Sequence, residues 1–145
     1  MAPDERALLW RLPRDYGLGR NSQALDVQAV RIMSKARQKG TAAETAVVKY
    51  LRECGYIDAD RHPLRGQADQ GDIRGIDNMV LEVKNHRSYS IPAWLREVEA
   101  EKANADARFG AAIIKPNGVG LNSVGQWWAV MSVEDFAKLC ARAGL

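Results

Sequence analysis

The side chains with the clearest chemical potential lie in the stretch "GDIRGIDNMVLEVKN", from Gly71 to Asn85: Asp72, Glu82 and Lys84. A hard cation such as Mg²⁺ needs oxygen ligands from two or more segments meeting at one point, and Asp72 and Glu82 can form such a pair. Lys84 follows Glu82 by two residues, so in an extended strand both point the same way while Leu81 and Val83 point the other. An ammonium there can orient a metal-activated water or stabilise the charge that builds on a pentacoordinate phosphorus. The plain alternative is a half-buried surface strand with Glu82 and Lys84 in water, where their ion pair is worth only ~0–1 kcal/mol.

The connection between the two strands decides whether the carboxylates converge. A two-residue turn at Asp77 and Asn78 pairs Gly71 with Lys84 and Asp72 with Val83, which turns Asp72 away from Glu82. An odd number of connecting residues, such as Gly75 to Met79, or a bulge, brings the two together, and Gly71 and Gly75 stand where either is allowed.

The elements that would carry these residues are legible along the chain. Its 145 residues suit one folded domain from 33 to 145 with a real core, preceded by an arm or appendage over residues 1–32 broken by Pro and Gly. "TAAETAVVKYLRECG" reads as a helix opened by a Thr41/Glu44 capping box and stopped at Gly55, with an inward stripe of Val47, Val48, Leu51 and Cys54. "YIDADR" reads as a short strand and "HPLRGQADQG" as a loop bordered by Arg61 and Arg65. Two strands follow, from Asp72 to Ile76 and from Met79 to Lys84. Pro92 opens a helix to about Arg108 with Trp94, Leu95, Val98 and Phe109 packed inward. "GAAIIKP" and "QWWAVM" are strands, the second with both Trp127 and Trp128 in the core. "SVEDFAKLCARAGL" closes as a capped helix burying Phe136, Leu139 and Cys140. The expected fold is therefore α/β, a central mixed sheet flanked by helices.

Composition narrows the setting. The net charge of +3 is modest, but Arg31, Lys35, Arg37 and Lys39 form a basic run without an intervening acid, suited to a phosphate backbone or to a solvated flank. Cys54 and Cys140 have no zinc spacing and read as reduced core thiols. No apolar run nears the roughly 18 residues of a membrane span. The first residues lack a signal peptide's apolar centre, so the expected location is cytoplasmic, with no membrane partner. His86 reads as a polar loop residue, and Lys102 and Lys115 as lysines near the cleft or in solvent.

Asp72, then Glu82-Val83-Lys84, preceded by a helix carrying Glu44, resembles the PD-(D/E)XK nuclease superfamily. "KGTAAETAVVKYL" followed by "GDI" and "LEVKN" is similar to archaeal-type Holliday junction resolvases and their phage relatives, over roughly Arg37 to Lys115. The motif's proline is replaced by Gly71. The resemblance implies a restriction-endonuclease-like three-layer sandwich. It makes Asp72, Glu82, the Val83 carbonyl and Glu44 ligands of Mg²⁺, with Mn²⁺ as a substitute, and Lys84 the catalytic lysine. Lys39 and Gly40 match a phosphate contact, and Lys35, Arg37, Lys39, Gly40, Arg61 and Arg65 are the expected DNA contacts.

The implied activity is Mg²⁺-dependent hydrolysis of phosphodiester bonds in branched DNA. The substrate is a four-way junction, and two symmetric incisions call for a homodimer. Three other readings stand beside it: a repair or restriction-type endonuclease or nickase of the same superfamily, a non-catalytic DNA-binding module, and an α/β scaffold that binds protein partners, favoured only if the Asp72 side chain faces away from Glu82.

Overall fold

A computed structural model describes residues 21–63 and 68–145, with side chains from Ala24 onward. Arg65, and the part of the expected arm up to residue 20, lie outside the described residues. The chain divides into two compact units, Met1–Lys35 and Ala36–Leu145. The elements in chain order are α1 (Asn21–Glu53), β1 (Asp60–Arg61), β2 (Ile73–Arg74), β3 (Met79–Lys84), α2 (Ile91–Ala105), β4 (Phe109–Ile114), β5 (Trp128–Val130) and α3 (Val133–Ala143), with a 3₁₀ turn at Val124–Gln126. Helices and strands follow in the order that the sequence predicts.

In the first unit, the described part of α1 exposes every side chain, Leu25, Val30 and Met33 included. The second unit holds a five-stranded mixed sheet in the order β1-β2-β3-β4-β5. Among the described strands β3 and β4 alone run parallel, from Met79 beside Phe109 to Lys84 beside Ile114. Parallel neighbours need a crossover, and α2 supplies it. Alternation then divides the sheet's residues between two cores. Leu81, Val83 and Ala111 join Ala43, Val47 and Val48 of α1, Ile73 and Trp127 on one face. Ala112 and Ile114 join Trp94 and Val98 of α2 on the other. Glu82 and Lys84, out of phase with Leu81 and Val83, therefore belong to the α2 face.

Several expectations are corrected. Thr41 does not cap a helix, because α1 begins at Asn21 and continues through Gly40 and Thr41. The preceding residues are good helix formers, and one interior glycine costs only about 1 kcal/mol. The Thr41 carbonyl accepts a hydrogen bond from the Thr45 hydroxyl at 2.8 Å, and Glu44 reaches Arg61 instead of the backbone. Cys54 is exposed and Cys140 half-buried, since Cys54 lies where the helix unwinds into a turn beyond the sheet. Trp127 is buried but Trp128 is 46% exposed. β5 is the sheet's last strand, α2 packs on β3 and β4, and the Trp128 ring is left against Tyr89 at 5.5 Å. Phe136 is exposed because α3 turns Asp135 inward in its place.

Candidate active site

Asp72 and Glu82 meet because of the turn between their strands. Ile73 pairs with Leu81, so the residues from 74 to 80 between them are odd in number, and Asp72 N–H also donates to the Leu81 carbonyl at 2.9 Å, a bulge that steps Asp72 out of the regular ladder. The Asp72 side chain thereby comes within reach of Glu82. Two glycines permit it. Gly71 has φ +87° and Gly75 has φ +88°, and a Cβ on Gly75 would stand 2.1 Å from the Asp58 carbonyl oxygen. The segment ahead of Asp72 is tied to α2, where the Asn104 side chain donates to the Asp69 carbonyl at 2.8 Å and its carbonyl accepts from Gln70 at 3.2 Å. Asp69 accepts a hydrogen bond from Gly71 N–H at 3.1 Å.

Each carboxylate has a fixed partner and an incomplete shell. Val83 N–H donates to Asp72 Oδ2 at 2.6 Å. Lys84 Nζ donates to Glu82 Oε1 at 2.8 Å and also to Glu97 of α2, and lies 6.0 Å from the centre of the Trp94 ring. Glu82 Oε2 is buried with no hydrogen-bond donor, and so is Glu101 Oε2. Burial, then the charge of Glu82, pushes Asp72 up to about 7, against the pull of the Val83 N–H. Burial pushes Glu82 to about 7 in spite of Lys84, with Glu101 adding to the rise. Glu101 is also raised to about 7, by burial and then by the charge of Asp69. Burial works against the Lys84 ammonium, but hydrogen bonds to Glu82 and Glu97 outweigh it and hold its pKa above the ordinary lysine value.

The site is thus a cluster of under-compensated negative charge. Two facing carboxylates, with a third beside them and orphaned oxygens, suit a divalent cation in donor type and in charge. Among the described residues, no group of three or more His, Cys, Asp or Glu side chains is placed to hold a metal ion.

The remaining expected residues are distributed around this centre. Glu44 stands on α1, whose buried residues pack on the opposite face of the sheet. There it accepts from Arg61 Nε at 2.6 Å, while its charge still reaches Asp72. Arg61 is therefore held within the protein, bonded also to Thr41 Oγ1 at 3.5 Å. Lys35, Arg37 and Lys39 are exposed on α1 and Gly40 is half-buried there. The Lys39 carbonyl accepts from Asn85, just past β3, at 3.4 Å. His86 is an exposed loop residue whose ring lies 5.5 Å from Trp94.

Sequence reasoning missed Glu97 and Glu101. The signal for Glu101 was present: it continues the stripe Trp94, Val98, Glu101, all buried on α2, so an acid stands where helical spacing demands an apolar residue. Among the described residues, no helix is long and apolar enough to cross a membrane. No protein-family model, curated protein or solved structure matches the chain.

Proposed function

We propose that this chain is a Mg²⁺-dependent, structure-selective DNA endonuclease with a restriction-endonuclease-like arrangement, acting on four-way junctions as a homodimer in the cytoplasm. One observation carries the reading: the Asp72 and Glu82 side chains meet across the bulge at Leu81, with Lys84 on the face of Glu82 and hydrogen-bonded to it.

Asp72, Glu82 and the Val83 carbonyl are the groups that would hold the cation, and Mn²⁺ would substitute for Mg²⁺. Bound there, the cation supplies Lewis acidity toward a phosphodiester and lowers the pKa of a coordinated water. The chain's own residues do the rest. The Val83 N–H fixes the orientation of the Asp72 carboxylate, and Gly71 and Gly75 fix the register that aims it. Glu97 and Glu82 together hold the Lys84 ammonium at the site, where it offers a fixed positive charge to a phosphoryl group gaining negative charge. Trp94 and Val98 exclude water from one side, which strengthens each of these interactions. Lys35, Arg37 and Lys39 on α1 suit the DNA backbone. The exposed Trp128 on edge strand β5 offers an apolar surface for a second copy.

A second reading, a DNA-binding module that does not cut, is favoured by the lack of a ready-made metal cage among the described residues. Gel-resolved cleavage of a labelled four-way junction beside a linear duplex of the same arm sequence separates the readings, with Mg²⁺ or Ca²⁺, for wild type and Asp72→Asn. Paired nicks on the junction alone, with Mg²⁺ and not in the variant, are expected. Cutting of both substrates retains the nuclease and removes the junction specificity. Tight binding without cutting under either metal leaves the module.

A further inference from the structure

Glu101 has no part in the reaction just described, yet it is 6% exposed on the core stripe of α2. Its Oε2 has no donor, and neither has the buried Oε2 of Glu82. The two side chains are within hydrogen-bonding reach of each other once one of them carries a proton, so the orphaned oxygens belong to one locus. Neither nearby lysine hydrogen-bonds to these two oxygens. Lys84 donates to Glu82 Oε1 and to Glu97, and Lys102 is turned to Asp135 and Glu99. Two buried carboxylate oxygens without a donor are compensated in one of two ways, by a shared proton or by a cation. Glu44, the acid on the α1 side, already has Arg61.

We propose that Glu101 is a ligand of the cation site, so that Asp72, Glu82 and Glu101, not grouped around a metal position in the metal-free protein, close on the ion from the α2 side when it binds, rather than Glu44; this rests on the metal-dependent reading above. A helix packed on the face that carries Glu82 is the element able to bring a third oxygen to it. The Asn104 bonds to Asp69 and Gln70 hold the start of β2 against the end of that same helix.

Calorimetric titration of Mn²⁺ alone into the full chain at pH 8 tests the assignment. The proteins compared are wild type, Glu101→Gln, Glu101→Met, Glu44→Gln, Glu99→Gln and Asp72→Asn, each checked for fold by circular dichroism. Glu101→Gln, or Glu101→Met should the first not fold, is expected to weaken Mn²⁺ binding on the order of tenfold or more. Glu99→Gln, which removes a carboxylate from the exposed side of the same helix, is expected to bind as wild type. Wild-type affinity in a folded Glu101 variant overturns the proposal and assigns the pair a shared proton, as does a larger loss in Glu44→Gln than in Glu101→Gln. Affinity lost in Asp72→Asn but kept in Glu101→Gln overturns the ligand assignment alone. Wild-type affinity in Asp72→Asn, or no binding by wild type, overturns the metal-dependent reading with it.

Discussion

Two buried acids sit one residue apart in their dependence on α2, and the helix treats them in opposite ways. Asp135, on α3 and 1% exposed, is fully answered: Lys102 Nζ donates to its Oδ2 at 2.7 Å and Gly110 N–H donates at 3.0 Å. Its own N–H donates to the Ser132 hydroxyl at 3.1 Å, capping α3. One carboxylate thereby joins α2, β4 and α3. Glu101, the residue before Lys102, turns to the other side of the helix and meets acids: Glu82, Asp72 and Asp69 all lie within its field. A protein selected only for stability has no reason to keep the second arrangement, since an apolar residue at 101 would remove a buried oxygen without a donor and a charge beside Glu82. Uncompensated burial marks a site, and compensated burial marks a joint.

The largest effect expected from this contrast is on catalysis. Asp72→Asn keeps the shape of the site and removes one of the two facing charges. Losing several kcal/mol of charge stabilisation corresponds to a drop of about 10³-fold in cleavage rate, while the melting temperature stays the same or rises. Junction cleavage kinetics beside a thermal melt read both quantities, and a stability loss with unchanged cleavage would place Asp72 among the joints.

Asp135→Ala should do the reverse. It strands Lys102 and the Gly110 N–H in the interior and uncaps α3, and breaking a buried pair in this way costs about 3–5 kcal/mol. Urea denaturation measures the loss, and residual folded protein should retain its cleavage rate per folded molecule. A cost below about 1 kcal/mol would mean that the pair is as dispensable as a surface ion pair.

How much of this was readable before the fold was known follows from the range of the forces involved. Order and type of elements came through because Val47, Val48, the "VLEV" strand, "GAAII" and the Ser132 cap are local patterns with local causes. The pairing of Asp72 with Glu82 was readable only as a condition on the turn, because register is set by the backbone around Gly71 and Gly75 and not by side-chain type. Rotations of helices were misread where a tertiary polar contact sets them. Asp135 turns α3 so that Phe136 faces solvent, and Trp128 is left 46% exposed on β5, the last strand of the sheet. The capping box at Thr41 failed for a related reason, since nothing local says that the residues before it are helical too. Glu101 was readable in principle, as an acid in phase with Trp94 and Val98.

The acidic centre should also betray itself in the pH dependence of stability. Asp72, Glu82 and Glu101 have native pKa values of about 7, against roughly 4 for unfolded carboxylates. Between those values the native state binds more protons than the unfolded one, so these groups make stability fall as pH rises from about 4 through 7, and the fall levels off above 7. Glu101→Gln removes one contributor, so its metal-free melting temperature should gain on wild type by a few degrees, on the order of 1 kcal/mol, between pH 5 and pH 8. Mg²⁺ should narrow that gap by compensating the wild-type acids. Parallel melting curves for the two proteins across this range would mean that Glu101 stays in one protonation state throughout.

The smallest effect belongs to the acid that the sequence favoured. Glu44 is held by Arg61 at 2.6 Å, with the Arg61 side chain 37% and the Glu44 side chain 18% exposed. Arg61→Gln breaks a partly solvated pair and should cost about 1 kcal/mol or less. Because the buried face of α1 packs opposite the face that carries Glu82, a freed Glu44 should leave Mn²⁺ affinity within about threefold of wild type, less than 1 kcal/mol. A Mn²⁺ affinity that rises tenfold in Arg61→Gln would show the opposite. Arg61 would then be holding a ligand out of the centre, and the line between joint and site would run through α1 as well as α2.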